Sequence, residues 1–127
     1  MNQNNSFPKS EHLCGEIRIT ELFTKGEAFM AYPLRVVYIV QPKTDDEPVS
    51  VLVSVPKKRF KRAVKRNKLK RLMREAYRLN KQMLTELILD KGKQIHIAFN
   101  YVSNDELDFT TIEKKMKQAL NKLVERL

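Results

Sequence analysis

Along the 127-residue chain the hydrophobic positions change period several times, and each change marks an element. Ile19, Leu22 and Phe23 recur at helical spacing in IRITELFTKG, and Gly26 follows at a C′ position, so a short helix is predicted around residues 16–25. LRVVYIV, Leu34 to Val40, is dense in β-branched and aromatic side chains and predicts a strand, with Pro33 before it and QPKTDDEP after it as breaks. In VSVLVSV, Val49, Val51, Val53 and Val55 share one face of a strand while Ser50, Leu52 and Ser54 share the other. Two such strands joined by a polar loop predict an antiparallel hairpin. Pro56 closes the second strand, and a long helix is predicted from about Arg62 to Leu89, ended by Asp90-Lys91-Gly92. QIHIAFNY, Gln94 to Tyr101, reads as a third strand. The terminal helix opens at Thr110-x-x-Glu113, the spacing of a capping box, and carries Ile112, Met116, Ala119, Leu120, Leu123 and Leu127 on one stripe.

The resulting order, α-β-β-α-β-α, is an α+β class: a small mixed sheet with helices packed on it. The length suits one domain, 13–127, preceded by a flexible tail over residues 1–12 whose Asn, Gln and Ser offer little to bury. No apolar run approaches the roughly 18 residues of a membrane span, and MNQNNSFPKSEH lacks the apolar core of a secretory signal, so a cytoplasmic location without membrane partners is expected. A single cysteine, Cys14, excludes an internal disulfide and a Cys-based metal cluster and reads as a small buried or half-buried thiol.

Charge changes the picture more than composition does. The formal net charge is +10, and its distribution is uneven: Lys57 to Arg78 holds twelve basic residues and one acid, Glu75, a local balance of +11. The rest of the chain carries 13 basic and 14 acidic residues. The basicity is therefore one patch, the electrostatic footprint of a polyanion binder.

Projected at about 100° per residue, the segment Ala63 to Lys81 separates into two faces. Leu69, Leu72, Met73, Ala76 and Leu79 form a core stripe, and Asn67, Lys70, Arg71, Arg74 and Arg78 gather opposite. A merely solvated helix interleaves acids with bases, whereas like charges at these spacings repel by a few tenths of a kcal/mol per pair. A nucleic acid or another polyanion would relieve that repulsion. Neither helix-turn-helix nor zinc-finger spacing is present, and a sheet with a basic helix suits single-stranded or folded RNA.

RNKLKRLMRE, Arg66 to Glu75, preceded by Ala63-Val64, resembles the signature of the protein component of bacterial ribonuclease P, R-N-x-x-K-R-x-x-R-E after an A-V pair. VSVPKK resembles that family's strand end leading into K-K, and FTKG its first-helix motif ending in Gly. The resemblance spans about Leu13 to Leu127. Lys68 stands where the family usually has Arg, keeping the charge without the planar fork, and Val53 where many members have Phe.

The resemblance implies a fold with a fourth short strand and a left-handed βαβ crossover, an exception to the usual handedness. It implies a subunit that binds the catalytic ribonuclease P RNA and holds the 5′ leader of precursor tRNA in a cleft between the first helix and the sheet, assisting endonucleolytic removal of the leader. Mg²⁺-assisted hydrolysis is then expected on the RNA subunit, with no obligate protein partner. Arg66, Asn67, Lys68, Lys70, Arg71, Arg74 and Arg78 are the expected RNA contacts, and Lys57, Lys58, Lys61 and Arg62 extend that surface. Phe23, Tyr38, Val51, Val53 and Val55 are the leader-cleft candidates.

The residues show no catalytic constellation of their own. His12 and His96 are far apart in sequence, His96 alternates with Ile95 and Ile97 in a strand, and no H-E-x-x-H, Ser/His/Asp or paired-carboxylate arrangement occurs. Asp45, Asp46 and Glu47 read as a solvated loop cluster. A structural RNA-binding protein such as a ribosomal protein is the alternative function. A membrane-surface binder fits less well, because the cationic helix carries no Trp.

Overall fold

The computed structural model describes residues 11–13, 15–43 and 47–127. The first ten residues of the expected tail, Cys14, Asp45 and Asp46 lie outside the described residues. The β-branched runs form β2, Leu34–Pro42, β3, Val49–Ser54, and β4, Lys93–Tyr101, and the short EAFMA segment adds β1, Glu27–Ala31. The helices are α1, Glu16–Lys25, α2, Ala63–Asn80, α3, Gln82–Lys91, and α4, Phe109–Arg126. None of them is long and apolar enough to cross a membrane.

The four strands make one sheet in the order β1-β2-β4-β3. β1 pairs antiparallel with β2 and β2 antiparallel with β4, while β3 runs parallel to β4. The expected hairpin of the second and third runs is therefore absent: β4 lies between them, and the chain travels from β3 to its parallel neighbour through α2 and α3. A parallel pair requires such a crossover, whereas a loop of any composition can join strands that are not neighbours.

Both faces of this sheet are covered, which separates two cores. Val36, Tyr38, Val49, Val51, Val53, Ile95, Ile97 and Phe99 point to the side occupied by α2, α3 and α4, where Leu69, Met73, Tyr77, Leu84, Ile88, Ile112, Met116 and Leu120 complete the main core. On the reverse face Val37 and Ala98, with Ile39 and Leu52, receive Leu22 and Ile19 of α1 together with Leu13. Gly26 makes the second packing possible. Its φ of −73° is not left-handed, but a Cβ there would lie 2.8 Å from the Tyr38 carbonyl oxygen and closer still to that of Leu22. The glycine is thus required by close backbone approach.

Three further boundaries differ from the pattern. The expected long helix is divided at Lys81. There the Asn80 side-chain amide donates to the Ala76 carbonyl at 2.7 Å, satisfying a C-terminal acceptor of α2, and the Lys81 ammonium turns inward to the Glu11 carboxylate. α4 is capped not by Thr110 but by Asp108, whose Oδ1 accepts from the Thr111 amide at 2.9 Å. At the N-terminal end, Glu11 and His12, assigned to the tail by composition, lie on the fold: His12 bridges to Val51, and the Leu13 amide donates to the Val51 carbonyl at 2.8 Å.

Candidate nucleic-acid interface

The basic surface begins where β3 ends. Val55 is buried, Lys57 and Lys58 are exposed on a turn, and Phe60 is buried edge-on against Tyr101 with ring centroids 5.9 Å apart. Phe60 thereby fixes the chain that leads into α2. Arg66 holds the same joint from the helix side, its Nη1 donating to the Phe60 carbonyl at 2.9 Å and to the Lys61 carbonyl at 2.8 Å. One face of this signature arginine is thus structural. Arg62 is the N-cap residue without a side-chain cap bond, and the first turn of α2 holds no acid. Cations at a helix N-terminus oppose its dipole, so this end is electrostatically arranged for an anion.

Along α2 the buried residues are Leu69, Met73, Ala76 and Tyr77, with Leu72 half-buried beside them. Leu79, expected in the stripe, is 41% exposed, and Tyr77 takes the core position, packed against Phe99 at 6.0 Å. The core stripe is rotated by a fraction of a turn from the projected one. The basic face survives the rotation: Asn67, Lys68 and Arg71 are exposed, and Lys70, Arg74 and Arg78 are partly so. Glu75 is paired with Arg78 at 2.6 Å, a hydrogen-bonded contact that holds its carboxyl below the usual carboxylate range. Lys68 lies 3.8 Å from Glu106. Neither Lys70, Arg71 nor Arg74 makes an ion pair among the described residues.

His12 joins this surface. With Arg71, Arg74, Glu75 and Arg78 it lines a groove of about 260 Å³ between the N-terminal segment and α2. Its placement follows from the ion pair of Glu11 and Lys81 and from the bridge to β3. Sequence reasoning set His12 aside as an isolated histidine; only the pairing of its segment with β3 brings it beside the arginines.

The leader-cleft candidates are separated by the sheet. Tyr38, Val51, Val53 and Val55 are buried in the main core under the helices, on the side opposite α1, so they do not line a cleft between α1 and the sheet. The valine face of β3 is the core face beneath α2, α3 and α4. The face beside α1 carries Ser50, Leu52 and Ser54 of β3, Arg35, Val37 and Ile39 of β2, and His96, Ala98 and Asn100 of β4. Phe23 is 45% exposed on α1, one residue from the buried Leu22. His96 is buried on this face, next to Gln94, which in turn contacts Gln41 and through it Glu21 of α1. Toward the Lys57 end the surface opens: Ser54 is half-buried, Arg35 exposed, and the Asn100 amide donates to the Arg35 carbonyl at 3.4 Å. Among the described residues no three His, Cys, Asp or Glu side chains converge where a metal could be held.

Comparison with known proteins places this geometry. The Ribonuclease P family model matches residues 7–124. The ribonuclease P protein component of Porphyromonas gingivalis is 48% identical over 112 residues, covering 88% of this chain and 82% of that protein. The one from Chlorobaculum tepidum is 40% identical over 106 residues, covering 78% and 69%. Among solved structures, Staphylococcus aureus RNase P protein superposes with a TM-score of 0.68 at 19% identity, covering 91% of this chain and 96% of that one. The Thermotoga maritima RNase P protein gives 0.66 at 23% identity, covering 88% and 96%. The mixed sheet flanked by helices is shared with both structures, and the sequence relationship extends across the basic helix as well as the core; the chain belongs to the ribonuclease P protein component family, the protein subunit that works with an RNA subunit in this endoribonuclease of tRNA processing.

Proposed function

We propose that this subunit holds two RNAs at once, the catalytic RNA on the outward face of α2 and the 5′ leader of precursor tRNA beside α1. The carrying observation is the set of cations on α2, Lys70, Arg71 and Arg74, that have no acidic partner among the described residues while Glu75 is occupied by Arg78. Arg66, Asn67, Lys68 and Arg78 flank them, and Lys57, Lys58, Lys61 and Arg62 continue the surface toward the sheet. From Arg66 to Arg78 the helix rises roughly 18 Å, enough to meet several phosphates of a folded RNA. Charge-assisted hydrogen bonds from these side chains fix the RNA's position, and Arg66 contributes rigidity as well as charge.

The leader path runs over the open end of the α1-side face, past Phe23, Leu52, Ser54, Asn100 and Arg35 toward Lys57. An exposed aromatic ring offers a stacking surface for a base, and the cations hold the backbone. As the family resemblance implies, we assign Mg²⁺ and the hydrolytic step to the RNA partner, with this chain positioning the substrate.

Dissociation constants of a bacterial ribonuclease P RNA for precursor and for mature tRNA, measured with and without the protein at fixed salt, test this function. The protein is expected to tighten precursor binding more than mature binding, since the leader distinguishes the two. Equal tightening would refute the leader path and leave only a role in steadying the RNA.

A further inference from the structure

A second basic surface lies away from α2. Lys91 ends α3, Lys93 opens β4 and Arg126 ends α4, and the three line an open pocket of about 450 Å³ with Glu27, Tyr38, Val40 and Leu127. Glu27 is the one acidic side chain in that lining. Arg126 is held in place: its guanidinium carbon lies 4.8 Å from the centroid of the buried Phe29 ring, and the Lys122 ammonium lies 5.2 Å from the same centroid. Two cations one helical turn apart thus share a single ring. Lys91, Lys93, Lys122 and Arg126 make no ion pair among the described residues.

This arrangement repeats, on a smaller scale, the electrostatics of α2. Three cations converge with a single acid, Glu27, in the lining, and Arg126 is oriented by packing. The position is distinct. β1 and β3 are the two edges of the sheet; the pocket takes Glu27 from β1 and its neighbour β2 supplies Tyr38 and Val40, whereas the His12 groove beside α2 adjoins β3. Three strand spacings, roughly 14 Å, separate the edges.

We infer that this pocket is a second RNA-backbone site, in which Lys91, Lys93 and Arg126 take a phosphodiester and the half-open Val40 contacts the adjoining sugar or base. A phosphodiester is favoured over a free carboxylate because three donors from three elements converge on one open cavity, the arrangement suited to an anion with several acceptor oxygens. The inference rests on the RNA-binding function proposed above, and the phosphodiester can belong either to the RNA subunit or to the precursor tRNA.

The full-length protein carrying Lys91→Gln and Lys93→Gln tests it, since both side chains are exposed and neither has a packing role. Arg126→Gln is the second variant, and Arg71→Ala/Arg74→Ala the control. Affinity for a bacterial ribonuclease P RNA transcript is measured across a salt series, once alone and once with precursor tRNA bound. Each lost phosphate contact lowers the slope of log affinity against log salt by about 0.7–0.9, so loss of this one phosphodiester is expected to make the Lys91/Lys93 variant shallower by up to about 0.7–0.9 in at least one arm. A change in both arms assigns the phosphodiester to the RNA subunit; a change only with precursor present assigns it to the substrate. Unaltered slopes in both arms for the Lys91/Lys93 and Arg126 variants, with a shallower slope for the control, overturn this site alone. If the control is unaltered too, the RNA-binding function of α2 fails and this inference falls with it.

Discussion

Replacing Lys81 by Met tests how the N-terminal segment is bound to the fold. The Lys81 ammonium and the Glu11 carboxylate form an ion pair whose side chains keep 10% and 11% of their surface exposed. Methionine retains much of the apolar stem, so the perturbation is chiefly electrostatic. It leaves the Glu11 charge buried near the Tyr77 phenol, which burial first and the Glu11 carboxylate second push above the ordinary tyrosine range. Breaking a buried pair costs about 3–5 kcal/mol, and the residual exposure here places the expected loss near 3 kcal/mol. For a domain of this size that corresponds to a fall in Tm of roughly 10–15 °C. Urea unfolding followed by circular dichroism gives the free energy directly. Adding Glu11→Leu removes the stranded charge and is expected to recover most of the loss, so a double-mutant cycle should return a coupling energy of about 2 kcal/mol or more. A single-variant loss below about 1 kcal/mol with no coupling would show that water already solvates the pair and that residues 11–13 are not fastened through it.

Gly26→Ala should destabilise by about 1–3 kcal/mol, seen in the same unfolding assay, because the new Cβ meets the Leu22 and Tyr38 carbonyl oxygens. Asp108→Ala should lower Tm at neutral pH. The Thr111 hydrogen bond holds the Asp108 carboxyl below its ordinary value, so its stabilisation is complete above the ordinary aspartate range and is lost as pH falls through the folded value. The Tm difference between this variant and the parent should accordingly narrow in acid. Phe23→Ala should reduce the preference for precursor over mature tRNA with little change in Tm, since nearly half of its surface is already exposed.

The sequence and the structure part company where local pattern and tertiary pairing answer different questions. The period of α2 identified a core side and a basic side, and those sides hold, because amphipathicity is written in the residues of one helix. The exchange of Leu79 for Tyr77 in the core reflects packing against Phe99, which no wheel contains. In β3 the alternation distinguished two faces, but both faces of this sheet are buried, so hydrophobicity could not say which one meets α1. That ambiguity is why Tyr38, Val51, Val53 and Val55 were candidates for a cleft they do not reach. The pairing of β3 with β4 depends on contacts across more than forty residues, invisible to a reading in which neighbouring strands form hairpins. β1 was foreseen only as a fourth short strand implied by family resemblance, since EAFMA offers one buried side chain, Phe29. Lys81 carries neither the glycine nor the proline that usually marks a break, and its division of α2 from α3 accompanies an ion pair with a residue seventy positions earlier.

The proposed grip of the outward arginines of α2 on the catalytic RNA is measured by the affinity of the Arg71→Ala/Arg74→Ala protein for a bacterial ribonuclease P RNA over a salt series, with circular dichroism establishing that the fold is intact. Two lost charge-assisted contacts should weaken binding by about 1–3 kcal/mol each and make the log affinity against log salt slope shallower by about 1.4–1.8. An unchanged dissociation constant and an unchanged slope in a folded variant would contradict the account.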